Sequence, residues 1–116
     1  MTSPVLSRRA ILKGAAAIPV ALIPSLTSAD QPEIYEIEIS SFAFQPEVVR
    51  VRIGDTIRWI NRDLAPHTAT ADEFSWNTET LEQNEAGDIL VTEGMETSYF
   101  CVFHPHMKGR IEIVTD

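Results

Sequence analysis

Short segments of alternating apolar and polar residues run from residue 34 to the end of the chain. The clearest is the segment in which Val49, Val51 and Ile53 alternate with two arginines, followed by the turn Gly54-Asp55. A period of two is typical of strands that bury one face, and no helical pattern of useful length occurs. The sequence therefore predicts an all-β Greek-key sandwich of about seven short strands. The predicted strands span residues 34–39, 49–53, 56–61, 67–71, 89–91, 97–102 and 109–114.

Aromatic residues are expected to fill much of the core of this sandwich. A bend after the first strand should carry Phe42 and Phe44 inward, and Trp59 lies on the apolar face of its strand. The period disappears over residues 72–88, which form a long polar connection that could hold one helical turn. Trp76 within this connection is either a core residue or an anchor for the loop.

The first 29 residues differ in composition from the rest. Arg8, Arg9 and Lys13 make a basic start, an uncharged and mostly apolar run covers residues 14–26, and small residues fill 27–29. This order is typical of a secretory signal peptide, and the adjacent arginines favour the twin-arginine export route. An uncleaved membrane anchor is the alternative, but the apolar run is short for a transmembrane span.

We expect cleavage after Ala29, which leaves residues 30–116 as one domain in the periplasm. The removed segment carries three positive charges and no acidic residue, so the formal charge changes from −8 to −11. Such an acidic domain should avoid nucleic acid and anionic membranes, and it should be drawn to a partner protein with a basic patch. The same charge also keeps a small monomer soluble.

The chain has a single cysteine, Cys101, so no internal disulfide can form. His104 and Met107 follow it at intervals of three residues, in an expected loop over 104–108 between the last two strands. Thiolate, imidazole and thioether are the ligand types that select copper, and a second histidine would complete a His₂Cys plane with a weak axial methionine. His67, which lies 34 residues upstream of the cysteine, is the remaining candidate.

Residues 42–115 resemble the amicyanin and plastocyanin-like members of the cupredoxin family. The resemblance is carried by residues 51–62, by Ala65-Pro66-His67, and by the stretch from Tyr99-Phe100-Cys101 through Met107-Lys108-Gly109. It implies a mononuclear type 1 copper site and an electron-transfer function. The implied copper ligands are His67, Cys101, His104 and Met107. It also implies that the edge of the His104 ring is the exposed part of the site.

The sequence departs from the amicyanin pattern at two positions. His106 occupies a position where amicyanin has phenylalanine, and Thr68 replaces the asparagine after the upstream histidine. We expect His106 on the rim of the site, with a second, weaker metal role as the alternative. Thr68 is either a hydrogen-bonding residue that orders the loop or an ordinary strand threonine. The amine dehydrogenase that amicyanin serves is therefore not carried over to this chain.

The predicted function is that of a soluble periplasmic blue-copper protein that moves one electron from a donor dehydrogenase or redox protein to an acceptor such as a cytochrome. An enzyme is not expected, because a catalytic second copper would need its own histidines and the chain has three in all. A zinc site would leave Met107 unexplained. The alternative that stays open is a periplasmic copper carrier or chaperone that uses the same four ligands.

Overall fold

The computed structural model describes residues 31–115, and the predicted signal peptide and its cleavage site lie outside them. The described part of the chain contains eight strands and no helix, hence no helix long and apolar enough to cross a membrane. The strands are β1 (Ile34–Ser40), β2 (Ala43–Gln45), β3 (Val48–Val51), β4 (Thr56–Asn61), β5 (Thr70–Ala71), β6 (Ala86–Leu90), β7 (Ser98–Cys101) and β8 (His104–Ile113).

The strands form two four-stranded sheets. The first has the order β2-β1-β4-β6, with β1 and β4 parallel and the other pairs antiparallel. The second has the order β3-β8-β7-β5, with β3 and β8 parallel and the other pairs antiparallel. Strands that follow one another along the chain change sheets repeatedly, and this arrangement confirms the predicted all-β sandwich.

The core lies between the sheets because the inward residues of each strand are apolar. In β4, Ile57 and Trp59 are fully buried, as the alternation predicted. The Trp59 ring packs edge-on against Tyr99 from β7 at 5.3 Å, and Phe44 packs against the same tyrosine at 4.8 Å. Edge-to-face aromatic pairs at these separations are favourable beyond their apolar area. The two sheets are therefore held by an aromatic cluster directly beneath the cysteine that ends β7.

A glycine opposite Tyr99 allows this cluster to form. Gly109 of β8 pairs with Tyr99 of β7, and the tyrosine ring lies across the glycine. A Cβ atom built on Gly109 would lie 2.3 Å from the Cζ and hydroxyl oxygen of Tyr99. No real side chain tolerates that separation, so the position requires glycine.

Several expectations for the connections were wrong. Residues 43–45 form strand β2 rather than a simple bend, and Phe42 just before it is 47% exposed rather than part of the core. Residues 72–85 contain no helical turn. Trp76 in this stretch is an anchor, because its ring packs on Trp59 and its indole N–H donates to the carbonyl of Glu96 at 3.0 Å. Three strands also differ in their bounds: β5 covers only Thr70–Ala71 of the predicted 67–71, β6 is Ala86–Leu90 instead of 89–91, and β8 begins at His104 instead of 109.

Candidate metal centre

Three chain segments meet at one end of the sandwich and bring the predicted ligands together. Cys101 is the last residue of β7 and pairs with His104, the first residue of β8, across the two-residue turn Val102-Phe103. The pairing register shifts by three residues beyond this point, so residues 105–107 have no partner on β7. His67 comes from the β4–β5 connection. The expected loop is therefore a tight turn followed by a bulged start of β8.

The ligand atoms of the three residues have a spacing that suits a metal ion. Cys101 Sγ lies 3.6 Å from Nδ1 of His67 and 3.7 Å from Nδ1 of His104, and all three ligand atoms lie within 4.8 Å of one another. An ion about 2.0 Å from nitrogen and about 2.3 Å from sulfur, with angles of about 110–120°, separates sulfur from nitrogen by about 3.5–3.7 Å. The observed separations match that requirement.

Two of the three clustered residues are shielded from solvent. Cys101 and His67 are completely buried, whereas His104 is only partly buried. The backbone N–H of Thr68 points at the cysteine sulfur, with a separation of 3.4 Å. A buried cysteine sulfur that accepts a backbone hydrogen bond has one fixed orientation, and burial limits the access of water to it.

The backbone and ring of His67 are both held in place. Its N–H donates to the carbonyl of Leu81 at 3.1 Å, and its own carbonyl accepts from the N–H of Leu81 at 2.8 Å. Its Nε2 lies 2.9 Å from Oδ2 of Asp63, and in the tautomer that donates to this carboxylate, Nδ1 keeps a free lone pair facing Cys101. Sequence reasoning missed Asp63. The one available signal was a carboxylate four residues before the histidine in the same loop.

A buried asparagine shapes the loop that contains Asp63. The Asn61 side-chain amide donates to the carbonyls of Ala65 and Leu81, both at 2.9 Å. Its Oδ1 accepts from the N–H of Asp63 at 2.9 Å. Because Asn61 ends β4 and is fully buried, these three bonds connect the sheet directly to the loop that leads to His67.

Thr68 orders the turn between the other two ligands. The Val102 N–H, directly after Cys101, donates to the Thr68 hydroxyl oxygen at 3.1 Å. The same hydroxyl lies 2.9 Å from that of Thr70. Of the two possible roles for Thr68, the hydrogen-bonding one is therefore correct, and it ties the histidine loop to the cysteine turn.

No protein-family model matches the sequence. The chain is 26% identical to amicyanin from Paracoccus denitrificans over 102 residues, which cover 80% of this chain and 78% of that protein. It is 26% identical to plastocyanin from Nostoc punctiforme, over 68% of this chain and 63% of that protein. A solved structure of an amicyanin variant in its Cu(I) form superposes with a TM-score of 0.63 at 26% identity, covering 70% of this chain and 82% of that one. The chain is an amicyanin/plastocyanin-like cupredoxin.

The cupredoxin has an exposed aromatic residue, Phe42, in contact with two of its three histidines. The Phe42 ring contacts the His67 ring edge-on at 5.1 Å between centroids and the His104 ring at 4.8 Å. This role was not predicted from the sequence, because the bend after the first strand was expected to carry Phe42 into the core. The contact depends on a turn with positive φ angles at Ser41 (54°) and Phe42 (57°), which local residue patterns do not reveal.

The remaining predicted site residues of the cupredoxin lie in the bulged part of β8. Met107 is buried in the core, and it lines a surface cavity together with Phe42, Phe44 and His106. Its assignment as a copper ligand stays a prediction. His106 is exposed, with its ring centroid 6.5 Å from that of His104, as expected for a residue on the rim. It is not part of the one His/Cys cluster found among the described residues.

Proposed function

We propose that this cupredoxin carries single electrons through one type 1 copper ion held by His67, Cys101 and His104, with Met107 as a weak axial ligand. The observation that carries the proposal is the placement of one cysteine sulfur 3.6 Å and 3.7 Å from two imidazole nitrogens. This donor set is the one that copper uses in blue-copper sites. Bound there, copper would supply a Cu(I)/Cu(II) couple.

The residues around the site would keep the ligand geometry constant. Thr68 holds both the cysteine sulfur and the turn that follows it, and Leu81 holds the backbone of His67 through two hydrogen bonds. Ligands fixed in this way cannot rearrange freely when the charge of the site changes. Low rearrangement favours fast electron transfer, which is the property that an electron carrier needs and a metal-exchange protein does not.

His104 is the ligand nearest to solvent, and exposed apolar residues flank it. Phe42 is 47% exposed, Phe103 in the adjacent turn is 49% exposed, and Pro105 is exposed as well. A redox partner that docks on this apolar end would approach His104 first. The formal charge of −11 on residues 30–116 would steer a partner with a basic patch, at a rate that falls with rising salt.

The cellular setting in this proposal follows the N-terminal sequence. Export by the twin-arginine route and cleavage after Ala29 would place a monomeric domain in the periplasm. There it would accept an electron from a dehydrogenase or another redox protein and pass it to an acceptor such as a cytochrome. The protein would act as a carrier of electrons and not as an enzyme.

The second candidate function is that of a copper carrier with the same ligands. Burial of Cys101 and His67 argues against it, because a carrier must expose its metal for transfer. The two functions are separated by loading the protein with copper, recording voltammetry, and then adding a Cu(I) chelator. Reversible one-electron waves with copper retained for hours support electron transfer. Irreversible waves with copper lost to the chelator within minutes would reject it in favour of the carrier.

A further inference from the structure

We propose that Asp63 is a positioning residue for the metal centre, which orients the His67 ring and holds the Ser41-Phe42 turn against both histidines. The relevance of this inference to copper binding rests on the proposed function. The positioning role itself rests on hydrogen bonds between described residues, so the two can fail separately.

The Asp63 carboxylate accepts three hydrogen bonds from two separate parts of the chain. Oδ2 accepts from Nε2 of His67 at 2.9 Å and from the N–H of Phe42 at 2.9 Å. Oδ1 accepts from the N–H of Ser41 at 2.8 Å. The backbone N–H of Asp63 donates to Oδ1 of Asn61, which helps to place the carboxylate, and the Asp63 side chain is only 16% exposed. One side chain therefore joins the turn after β1 to the histidine loop after β4.

The turn that Asp63 holds has an unfavourable backbone. Ser41 and Phe42 are consecutive residues in the left-handed region, and a bulky residue such as phenylalanine rarely adopts it. Two backbone N–H groups aimed at one carboxylate compensate for that conformation. Without the carboxylate, the turn is expected to relax toward negative φ values, and the Phe42 ring would then leave His67 and His104.

The Phe42 ring transmits the position of the turn to both histidines. It contacts the His67 ring at 5.1 Å and the His104 ring at 4.8 Å, each nearly perpendicular. Asp63 thus acts on His67 directly through Nε2 and on His104 indirectly through Phe42. His104 begins β8 in the second sheet, and within residues 31–115 no hydrogen bond joins it to Asp63, so the Phe42 ring is the contact that links the two.

The carboxylate also places a negative charge behind His67. An ionised acceptor makes the imidazole a stronger donor to a metal and favours the more highly charged metal state. Removal of the charge should therefore favour Cu(I) over Cu(II) and raise the reduction potential.

The test compares Asp63→Asn with Glu93→Gln. Both substitutions remove one negative charge, but Glu93 is exposed and lies in the turn after β6. The end of β6 pairs with Thr56 at the start of β4, whereas the histidine loop follows the other end of β4. We expect Asp63→Asn to change the ratio of oxidised to reduced protein by about tenfold, which is about 59 mV for a one-electron couple. Glu93→Gln should change it less than twofold. Equal shifts in the two variants would overturn the proposal.

A second measurement uses the unaltered metal-free protein and does not depend on either variant folding. Nitrogen NMR should show His67 with a protonated Nε2 and an unprotonated Nδ1, and the Nε2 proton should exchange slowly with solvent. Protonation of Nδ1 instead, or fast exchange of the ring proton, would refute the role of Asp63. If the protein bound no copper while His67 kept this tautomer, the proposed function would fail and the positioning role of Asp63 would stand.

Discussion

Replacement of Gly109 by alanine should destabilise the domain more than any other glycine-to-alanine change among the four glycines that the structure describes in detail. The new Cβ would lie 2.3 Å from two Tyr99 atoms and 2.8 Å from a third, whereas ordinary contact begins at 3.4 Å. The backbone of Gly109 lies in a strand with no positive φ, so the cost comes from overlap alone.

The overlap cannot be relieved by a small movement of Tyr99. Its side chain is 1% exposed, and the rings of Phe44, Trp59 and Trp76 surround it at 4.8, 5.3 and 5.8 Å. Overpacking of a tight core costs about 1–3 kcal/mol and occasionally more. With two ring carbons and the hydroxyl oxygen of Tyr99 inside contact distance, we expect about 3 kcal/mol, which lowers the Tm by about 12–24 °C in a domain of this size.

Thermal and urea unfolding of the metal-free protein would measure this cost. Gly94→Ala is the matched control, since its Cβ would meet nothing within 4 Å and only its φ of 77° opposes a side chain; it should cost about 1 kcal/mol. In a Tyr99→Leu background the Gly109→Ala change should cost under about 1 kcal/mol, because the ring that it strikes is gone. A Gly109→Ala protein as stable as the unaltered one would refute the packing described for β7 and β8.

Three further predictions concern single side chains. Thr68→Val leaves the Val102 N–H unpaired and should lower the free energy of unfolding, measured in urea, by about 1–3 kcal/mol. Thr70→Val should lower it less, because within residues 31–115 the Thr70 hydroxyl bonds only to that of Thr68. Equal losses in the two variants would contradict the role of the Thr68 hydroxyl. Burial raises the pKa of Tyr99, so above about pH 10 the unfolded chain releases a proton that the folded chain keeps. The free energy of unfolding should therefore fall as the pH rises above about 10. Tyr99→Phe should remove this pH dependence, and an unchanged pH dependence would show that another group is responsible. Met107→Leu should keep the thiolate-to-copper absorption and raise the reduction potential, whereas loss of copper binding would show that Met107 is more than a weak ligand.

The strands that the sequence predicted best are those with strong alternation. Strand β4 has the predicted bounds, because Ile57 and Trp59 face the core and turns or loops flank the segment. Strand β8 starts five residues before its predicted start, since Pro105 and two neighbours form a bulge that carries no period. Alternation predicts strands that face a core, but it does not predict the part of a strand that extends beyond the core to form a site.

The clustering of three of the four predicted ligands, His67, Cys101 and His104, could be anticipated for a chemical reason. Cys101, His104 and a histidine that follows a proline form a donor set that few other functions use. Their spacing along the chain can be recognised without knowing the conformation of the residues between them. Phe42 and Asp63 were not predictable in this way. Their roles depend on a left-handed turn and on a hydrogen bond between loops 21 residues apart, and neither leaves a periodic mark in the sequence.

The central claim is tested most directly by a visible absorption spectrum of residues 30–116 during titration with Cu(II), followed by reduction with ascorbate. The account predicts an intense blue thiolate-to-copper band that saturates at one equivalent, bleaches on reduction, returns on reoxidation, and is absent in Cys101→Ser. A weak or absent band, oxidation of Cys101 without a stable coloured species, or an intensely blue Cys101→Ser protein would contradict it.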